Sequence, residues 1–228
     1  MAEPKYKRIL LKLSGEALSA GAEGILNFDF IATVAAVLKK CIAAGVEIGV
    51  IVGAGNIWRG RQGTAMDRAQ ADHMGMLATA INALALQDGF RTAGIDTVVM
   101  SAVEMPAYAE TFTVRGANEA LAAGKLVIFA CGLGQPYFST DTAAVLRAAE
   151  IGADAVLMAK NIDGVYTADP RKDPSAVRYD EITYQEILKK ELKALDLSAT
   201  TFCMENNIRC YAFELKDPNN IYRVIMGE

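Results

Sequence analysis

The stretch with the clearest chemical potential is Gly-Leu-Gly-Gln-Pro-Tyr-Phe-Ser-Thr-Asp, from Gly132 to Asp141. It follows an apolar run, Leu126 to Ala130, that is typical of a buried strand, and Thr142 to Ile151 has helical spacing. A helix start presents backbone N–H groups without intrahelical partners and the positive end of the helix dipole. This order of elements indicates an anion site, most often for phosphate, although one such loop alone is better explained as an ordinary strand-to-helix connection in which Asp141 caps the helix.

Three other predicted strands end in residues suited to phosphate. Strand 6–13 carries Lys12 before Ser14 and Gly15, strand 46–52 leads into Gly53 to Arg59, and strand 155–159 leads into Lys160 to Asp169. Taken alone, Lys12 could be a solvated lysine at a strand end and Arg59 a surface arginine. Ligands of open α/β sheets bind at the carboxyl edge, so convergence of these ends would create a site for two phosphorylated ligands. Neither the P-loop nor the dinucleotide-binding fingerprint occurs in the sequence.

The elements that must position these residues alternate between strand and helix. This pattern predicts an α/β fold, a three-layer αβα sandwich around a mostly parallel sheet. Helices are predicted at 29–44, 69–87, 115–123, 142–151, 183–192 and 218–226, with a further helix starting at 196. In helix 69–87 we expect Met74, Leu77, Ile81 and Leu84 to face inward, and Asp72 to lie in the first turn.

Composition excludes several classes of protein. The chain has 228 residues and a formal net charge of −4, with no basic cluster, which argues against nucleic-acid binding. No segment reaches the roughly 20 apolar residues of a membrane span. The four cysteines lack metal or redox spacing, which suits a reducing cytoplasm. We expect one domain over 1–228, or two closely packed lobes.

Six motifs, taken together and in order, resemble the bacterial uridylate (UMP) kinases of the amino acid kinase family. The motifs are Lys12 to Leu18, Gly53 to Asn56 with Arg59-Gly60, Asp72 to Thr79, Gly134 to Asp141, Asp163 to Pro170, and Asp196-Leu197. The resemblance covers nearly the whole chain. It implies an amino acid kinase-like fold and Mg²⁺-dependent transfer of the γ-phosphoryl group of ATP to UMP, in pyrimidine nucleotide biosynthesis.

The resemblance also implies roles for individual residues. The catalytic positions are Lys12, Arg59, Asp141 and Asp196. The ATP contacts are Lys12, Leu13, Ser14, Gly15, Gly55, Arg59, Lys160, Asn161, Tyr166 and Asp169. The UMP contacts are Ala54, Asp72 on the ribose hydroxyls, Leu133, Gly134, Gln135, Pro136, Tyr137, Phe138, Ser139 and Thr140. The N-terminal part would bind UMP and the part from about residue 155 would bind ATP; no metal ligands are assigned.

The implied chemistry needs no catalytic base. The second pKa of a phosphate monoester is about 6, so the attacking oxygen of UMP is already largely ionised near neutral pH. What remains is to align two anions and neutralise the transferred group, with Lys12, Arg59, Mg²⁺ and backbone N–H groups. Two alternatives stay open: a related kinase for a carboxylate or carbamate, and a non-catalytic nucleotide- or oxyanion-binding protein. Retention of Asp141 and Asp196 with Lys12 argues against the second.

Several positions depart from the family pattern. Ala54 replaces a glycine, and Leu133 stands where a threonine or serine is typical, so one polar contact to the base would come from the backbone or water. The family forms hexamers that UTP inhibits and GTP activates. Glu119-Ala120 replaces an Arg-His pair of the effector region, and Val98 replaces an arginine. We therefore expect a homohexamer with UTP inhibition and with weak or absent GTP activation.

Overall fold

The computed structural model describes residues 3–21, 23–58, 65–160, 162–192 and 194–228. The strands are β1 (Arg8–Leu13), β2 (Glu47–Val52), β3 (Thr97–Ser101), β4 (Glu110–Thr111), β5 (Leu126–Ala130), β6 (Ala155–Lys160), β7 (Val165–Tyr166), β8 (Arg178–Tyr179) and β9 (Cys210–Glu214). The helices are α1 (Gly15–Ser19), α2 (Phe28–Ala43), α3 (Arg68–Thr92), α4 (Val114–Ala122), α5 (Thr140–Glu150), α6 (Tyr184–Lys189), α7 (Leu197–Glu205) and α8 (Asn219–Met226).

The described residues form a seven-stranded sheet in the order β4-β3-β5-β2-β1-β6-β9. Every strand pair in this sheet is parallel, and β7 and β8 form a separate antiparallel ribbon. The sheet lies between two apolar clusters, since Ile9 and Leu11 of β1 belong to one and Leu10 belongs to the other. The first cluster includes residues of α2, α3 and α8, and the second includes residues of α4, α5 and α7. The predicted three-layer αβα sandwich is confirmed.

Helix starts follow local capping chemistry. The Asn27 side chain accepts a hydrogen bond from the N–H of Phe30 at the start of α2, at 3.0 Å. At α6, Thr183 and Glu186 form the reciprocal capping box that the sequence predicts. No helix in the described part of the chain is long and apolar enough to cross a membrane.

The orientation of α3 differs from the prediction. The helix is longer than 69–87, and Asp67 caps it, so that Asp72 lies in the second turn. Leu77 and Ile81 are 55% and 47% exposed, so the expectation that they face the core was wrong. The buried face consists of Ala71, Ala78, Thr79, Ala80, Asn82, Ala83, Leu86 and Phe90. The alanines let α3 pack closely on the sheet. The buried polar residues, Thr79 and Asn82, form hydrogen bonds with the loops after β5 and β2.

Candidate active site

A cavity of about 560 Å³ lies where β1, β2 and β5 end, between α3 and the start of α5. Its lining comprises Lys12, Ser14, Gly15, Glu16, Gly53, Ala54, Gly55, Trp58, Arg68, Asp72, Gly75, Met76, Thr79, Cys131, Gly132, Leu133, Gln135, Tyr137, Phe138, Ser139, Thr140, Asp141 and Asp196. Three of the predicted strand ends therefore converge at one edge, because parallel strands place their carboxyl ends on the same side.

A lysine–aspartate pair lies on the wall of this cavity. The Nζ atom of Lys12, on β1, lies 3.2 Å from Oδ1 of Asp141, in the first turn of α5. Their side chains are only 15% and 19% exposed. The pair puts one cation beside the positive end of a helix, which is a suitable environment for a transferred phosphoryl group.

Glycines bring two loops into direct backbone contact. A Cβ atom on Gly15 would lie 2.5 Å from the carbonyl oxygen of Gly53 and 2.6 Å from the nitrogen of Gly55, so no other residue fits without movement. Asn82, fully buried in α3, donates to the Gly53 carbonyl oxygen at 2.8 Å and exchanges two side-chain hydrogen bonds with Asn56. The loop after β2 is thereby fixed beside the loop after β1.

Asp72 joins α3 to the loop after β5. Its Oδ2 atom accepts hydrogen bonds from the N–H of Tyr137 at 2.9 Å and from Nε of Arg68 at 2.8 Å. Tyr137 has a φ of 73°, in the left-handed region that non-glycine residues seldom adopt. A contact that holds this conformation places a carboxylate at the cavity wall, where it can accept hydrogen bonds from ligand hydroxyls.

Asp196 connects the starts of two helices. As the N-cap of α7 it accepts a hydrogen bond from the N–H of Ala199 at 2.7 Å. It also accepts from the Thr142 hydroxyl, at 3.0 Å, and from the hydroxyl of Ser139. Ser139 in turn caps α5 by accepting from the N–H of Asp141 at 3.0 Å. Asp196 thus fixes the N-terminal end of α5 while remaining part of the cavity lining.

Lys160 lies at the end of β6, close to the Lys12–Asp141 pair. Its ammonium donates to the carbonyl oxygen of Ala194. Burial lowers the pKa of Lys160, while the nearby carboxylate of Asp141 raises it and the charge of Lys12 lowers it further. Lys160 therefore contributes a second, desolvated cation to this region.

Some predicted site residues do not line the cavity. They are Leu13, Gly134, Pro136, Lys160, Tyr166 and Asp169, while Arg59 and Asn161 lie outside the described residues. Leu13 is fully buried in the core. The Tyr166 hydroxyl donates to Asp163 at 2.7 Å, and Asp169 pairs with Arg171 at 3.1 Å. Both aspartates have lowered pKa values, because Asp163 accepts from Tyr166 and Asp169 accepts from Arg171.

Sequence reasoning missed several lining residues on α3 and next to it. Arg68, Met76 and Thr79 stand at positions −4, +4 and +7 relative to Asp72, so the helical period would have found them on the same face. Trp58 also lines the cavity, and its Nε1 donates to the carbonyl oxygen of Ala71 at 2.9 Å.

The donor set suits a magnesium ion that arrives with a nucleotide. Within the described residues no group of three or more His, Cys, Asp or Glu side chains is arranged to hold a metal. Mg²⁺ commonly binds through one or two carboxylates together with substrate phosphates. Asp141 meets that requirement, since it lines the cavity at the start of α5.

Comparison with known proteins agrees with this geometry. The model of the amino acid kinase family matches residues 7–213. A UMP kinase structure from Bacillus anthracis has a TM-score of 0.94 at 33% identity, covering 98% of this chain and 93% of that one. A UMP kinase from Ureaplasma parvum gives 0.93 at 36% identity, covering 98% and 96%. A uridylate kinase from Archaeoglobus fulgidus gives 0.72 at 27% identity, covering 96% of each chain. This match over most of the chain shows that the protein belongs to the amino acid kinase family.

Proposed function

We propose that this enzyme transfers the γ-phosphoryl group of ATP to UMP, giving UDP and ADP, as a step of pyrimidine nucleotide synthesis. The carrying observation is the Lys12–Asp141 pair, which lies in one cavity with glycine loops on one side and the start of α5 on the other. The two bacterial structures that resemble the chain over nearly its whole length are UMP kinases, which supports the same acceptor.

In the proposed reaction an ionised phosphate oxygen of UMP attacks the γ-phosphorus, and the bond to the bridging β-oxygen of ATP breaks. No proton moves, because the acceptor oxygen is already ionised. Lys12 neutralises charge on the transferred group, and the N–H groups at the start of α5 hold a phosphate. Bound Mg²⁺, held through Asp141 and the ATP phosphates, would supply further charge neutralisation.

We assign the two nucleotides to different parts of one domain spanning 1–228. Asp72 would accept from the ribose hydroxyls of UMP, and the loop from Leu133 to Thr140 would surround its base and phosphate. Gly15 and Gly55 would approach the ATP phosphates closely. Arg59 would also contact the ATP phosphates. The ATP nucleoside would bind to the part of the chain from about residue 155, through Lys160, Asn161, Tyr166 and Asp169.

We also propose self-association, with the hexamer that the resemblance implies. Leu77 and Ile81 on α3, with Phe28 on α2 and Ile25 before it, are between 47% and 60% exposed. Large exposed apolar side chains on one helix face are typical of an interface. We expect a cytoplasmic enzyme, because four free cysteines suit a reducing compartment.

UTP is proposed as a feedback inhibitor, since it carries the base and ribose of UMP. Activation by GTP is proposed to be weak or absent. Val98 is buried in the core, and Glu119 pairs with its own helix neighbour Arg115 at 2.7 Å, so neither position offers the cationic side chain that binds an effector phosphate.

An acceptor panel tests the proposed function. ADP release would be measured with ATP, Mg²⁺ and, in turn, UMP, CMP, dUMP, carbamate and acetate. We expect UMP to give by far the highest kcat/KM. Turnover only with carbamate or acetate would favour the related carboxylate or carbamate kinases. Tight nucleotide binding without any ADP release would favour the non-catalytic binding protein.

A further inference from the structure

The loop after β5 begins in an unusual backbone conformation. Cys131 has a φ of 62° and Gly132 a φ of 57°, so two consecutive residues are left-handed. Glycine adopts this region freely, whereas a cysteine does so only where surrounding contacts hold it. Because both residues line the cavity, these contacts also determine what the loop offers to a ligand.

Two side chains, from helices in different layers of the sandwich, hold this turn. The hydroxyl of Thr79, on α3, accepts a hydrogen bond from the N–H of Cys131 at 2.9 Å. On the other side, the guanidinium of Arg147, on α5, donates to the carbonyl oxygen of Gly132 at 3.2 Å. The turn is therefore fixed from both sides.

Arg147 is itself held rigidly and lies outside the cavity lining. It is 5% exposed, and its Nη1 atom lies 2.5 Å from Oε2 of Glu150. The guanidinium carbon stands 3.8 Å from the ring centre of Phe112. The ion pair neutralises the buried charge through Nη1, and the ring fixes the plane of the guanidinium, which leaves Nη2 to donate to the Gly132 carbonyl.

The orientation of the next peptide group follows from this contact. In a trans peptide the C=O and N–H bonds point in opposite directions, so holding the Gly132 carbonyl on Arg147 directs the N–H of Leu133 away from Arg147. Leu133 lines the cavity, and its side chain cannot form hydrogen bonds. Among the described residues no acceptor takes the Leu133 N–H.

We propose that Arg147 is a positioning residue for the acceptor nucleotide: by holding the Gly132 carbonyl, it presents the Leu133 N–H to an oxygen of the pyrimidine base. The backbone thereby supplies the polar contact that the leucine side chain lacks. This proposal rests on the proposed function, since it needs a pyrimidine nucleotide in the acceptor site.

The test compares Arg147→Met with a matched control, Arg8→Met. Arg8 is also a partly buried arginine with a carboxylate partner, Glu47 at 2.5 Å, and with the carbonyl oxygen of Ile151 as an acceptor. It lies at the start of β1, at the amino ends of the parallel strands, whereas the cavity lies at their carboxyl ends. Both variants lose a buried cation, so a purely structural effect appears in both.

Arg147→Met is expected to raise the KM for UMP about tenfold, which corresponds to the loss of one hydrogen bond, with the KM for ATP changed less than about twofold. Arg8→Met is expected to lower the melting temperature without changing either KM. Glu150→Gln removes the ion pair but keeps the Gly132 contact, and should leave the KM for UMP close to that of the wild type. If Arg147→Met does not fold, Arg147→Lys, which retains the charge, is tested in its place and should show the same split.

Hydrogen exchange supplies a readout that does not depend on catalysis. Peptides covering 131–139 should exchange faster in Arg147→Met than in the wild type. In Arg8→Met their exchange rates should equal those of the wild type. An unchanged KM for UMP together with unchanged exchange, or an equal rise in both KM values, would overturn the proposal. If the wild type does not phosphorylate UMP, the proposed function fails and this proposal with it, whereas an active wild type with an unaltered variant refutes Arg147 alone.

Discussion

The Nζ atom of Lys12 lies 3.2 Å from a carboxylate oxygen of Asp141, which links the end of the interior strand β1 to the first turn of α5. The two charges compensate each other across this contact. A phosphoryl group that enters between the loops offers Lys12 a second anionic partner, and Mg²⁺ held with the nucleotide would offer Asp141 a cation. The pair is thus arranged to exchange partners during the reaction.

Replacing Lys12 by alanine should lower kcat by roughly 10²- to 10³-fold, the usual cost of losing one charge-stabilising group. The fold should persist, because Asp141 lines the cavity and keeps part of its access to water; we expect a loss of stability of about 1 to 3 kcal/mol, between the values for exposed and buried pairs. Steady-state kinetics and thermal melting check both parts. The exposed Lys7, one residue before β1, provides the control Lys7→Ala. Near-normal turnover of Lys12→Ala would remove Lys12 from the mechanism.

Asp72→Asn should raise the KM for UMP about tenfold, with a smaller change in kcat. The amide keeps the size of the side chain but weakens its acceptance of hydrogen bonds from ribose hydroxyls, which a charged group makes stronger. It also weakens the contact to the Tyr137 N–H. The control is Asp88→Asn, an exposed position on the same helix. Equal effects of the two substitutions on the KM for UMP would show that helix charge, and not the site, is responsible.

Because Lys160 can lose its proton, we expect the affinity for ATP to fall at alkaline pH. Burial lowers its pKa below the ordinary value of 10.5, so the cation is lost at a lower pH than for an exposed lysine. The KM for ATP should therefore rise as pH increases through that lowered pKa. The arginine of Lys160→Arg keeps its charge over the whole pH range, so the rise in the KM for ATP should move to higher pH. Coincident pH profiles for the wild type and Lys160→Arg would contradict this role.

The same shift has a defined effect on stability. Between the folded pKa of Lys160 and 10.5 the unfolded chain binds more protons than the folded chain, so this residue makes the free energy of unfolding rise with pH across that interval.

GTP should change the initial rate by less than about twofold at any UMP concentration. Effector phosphates need charge-assisted hydrogen bonds, and Val98 and Glu119 cannot donate them. Initial rates measured with and without GTP test this expectation. UTP, which is expected to inhibit, serves as the reference effector. A several-fold rise with GTP would refute the expectation.

Substituting Leu77 and Ile81 by glutamate should shift the protein to a smaller assembly in light scattering. Both side chains are about half exposed, so the charges are tolerated in a monomer but not in a buried contact. Gln70→Glu, exposed near the start of the same helix, is the control. An unchanged mass for the double variant would place the interface elsewhere.

The strands of the sheet were predictable because parallel strands buried on both faces are continuous apolar runs. β5 illustrates this, since its observed bounds, Leu126–Ala130, are those predicted and all five residues are buried. The convergence of Lys12 with the loop from Gly132 also followed, because strand direction fixes which ends meet. The two-residue strands β4, β7 and β8 were missed, since so short a segment carries no period.

The inward face of α3 could not be predicted from hydrophobic spacing. Its core contacts are made by alanines, and its buried Thr79 and Asn82 satisfy loop backbone groups that no local pattern reveals. Tyr166 and Asp169 were expected near ATP from the resemblance. Their hydrogen bonds to Asp163 and Arg171 are local contacts, three and two residues along the chain, and motif order does not encode which side chains pair within a loop.

The interior position of β1 in the sheet constrains how the chain can fold while it is being translated. β1 pairs with β2 on one side and with β6 on the other, so residues 8–13 gain their second neighbour only after residues 155–160 have been translated. Until then a leucine-rich strand has an open edge, of the kind that recruits other chains. Nascent polypeptides stalled before β6 should therefore depend on chaperones far more than the completed enzyme does.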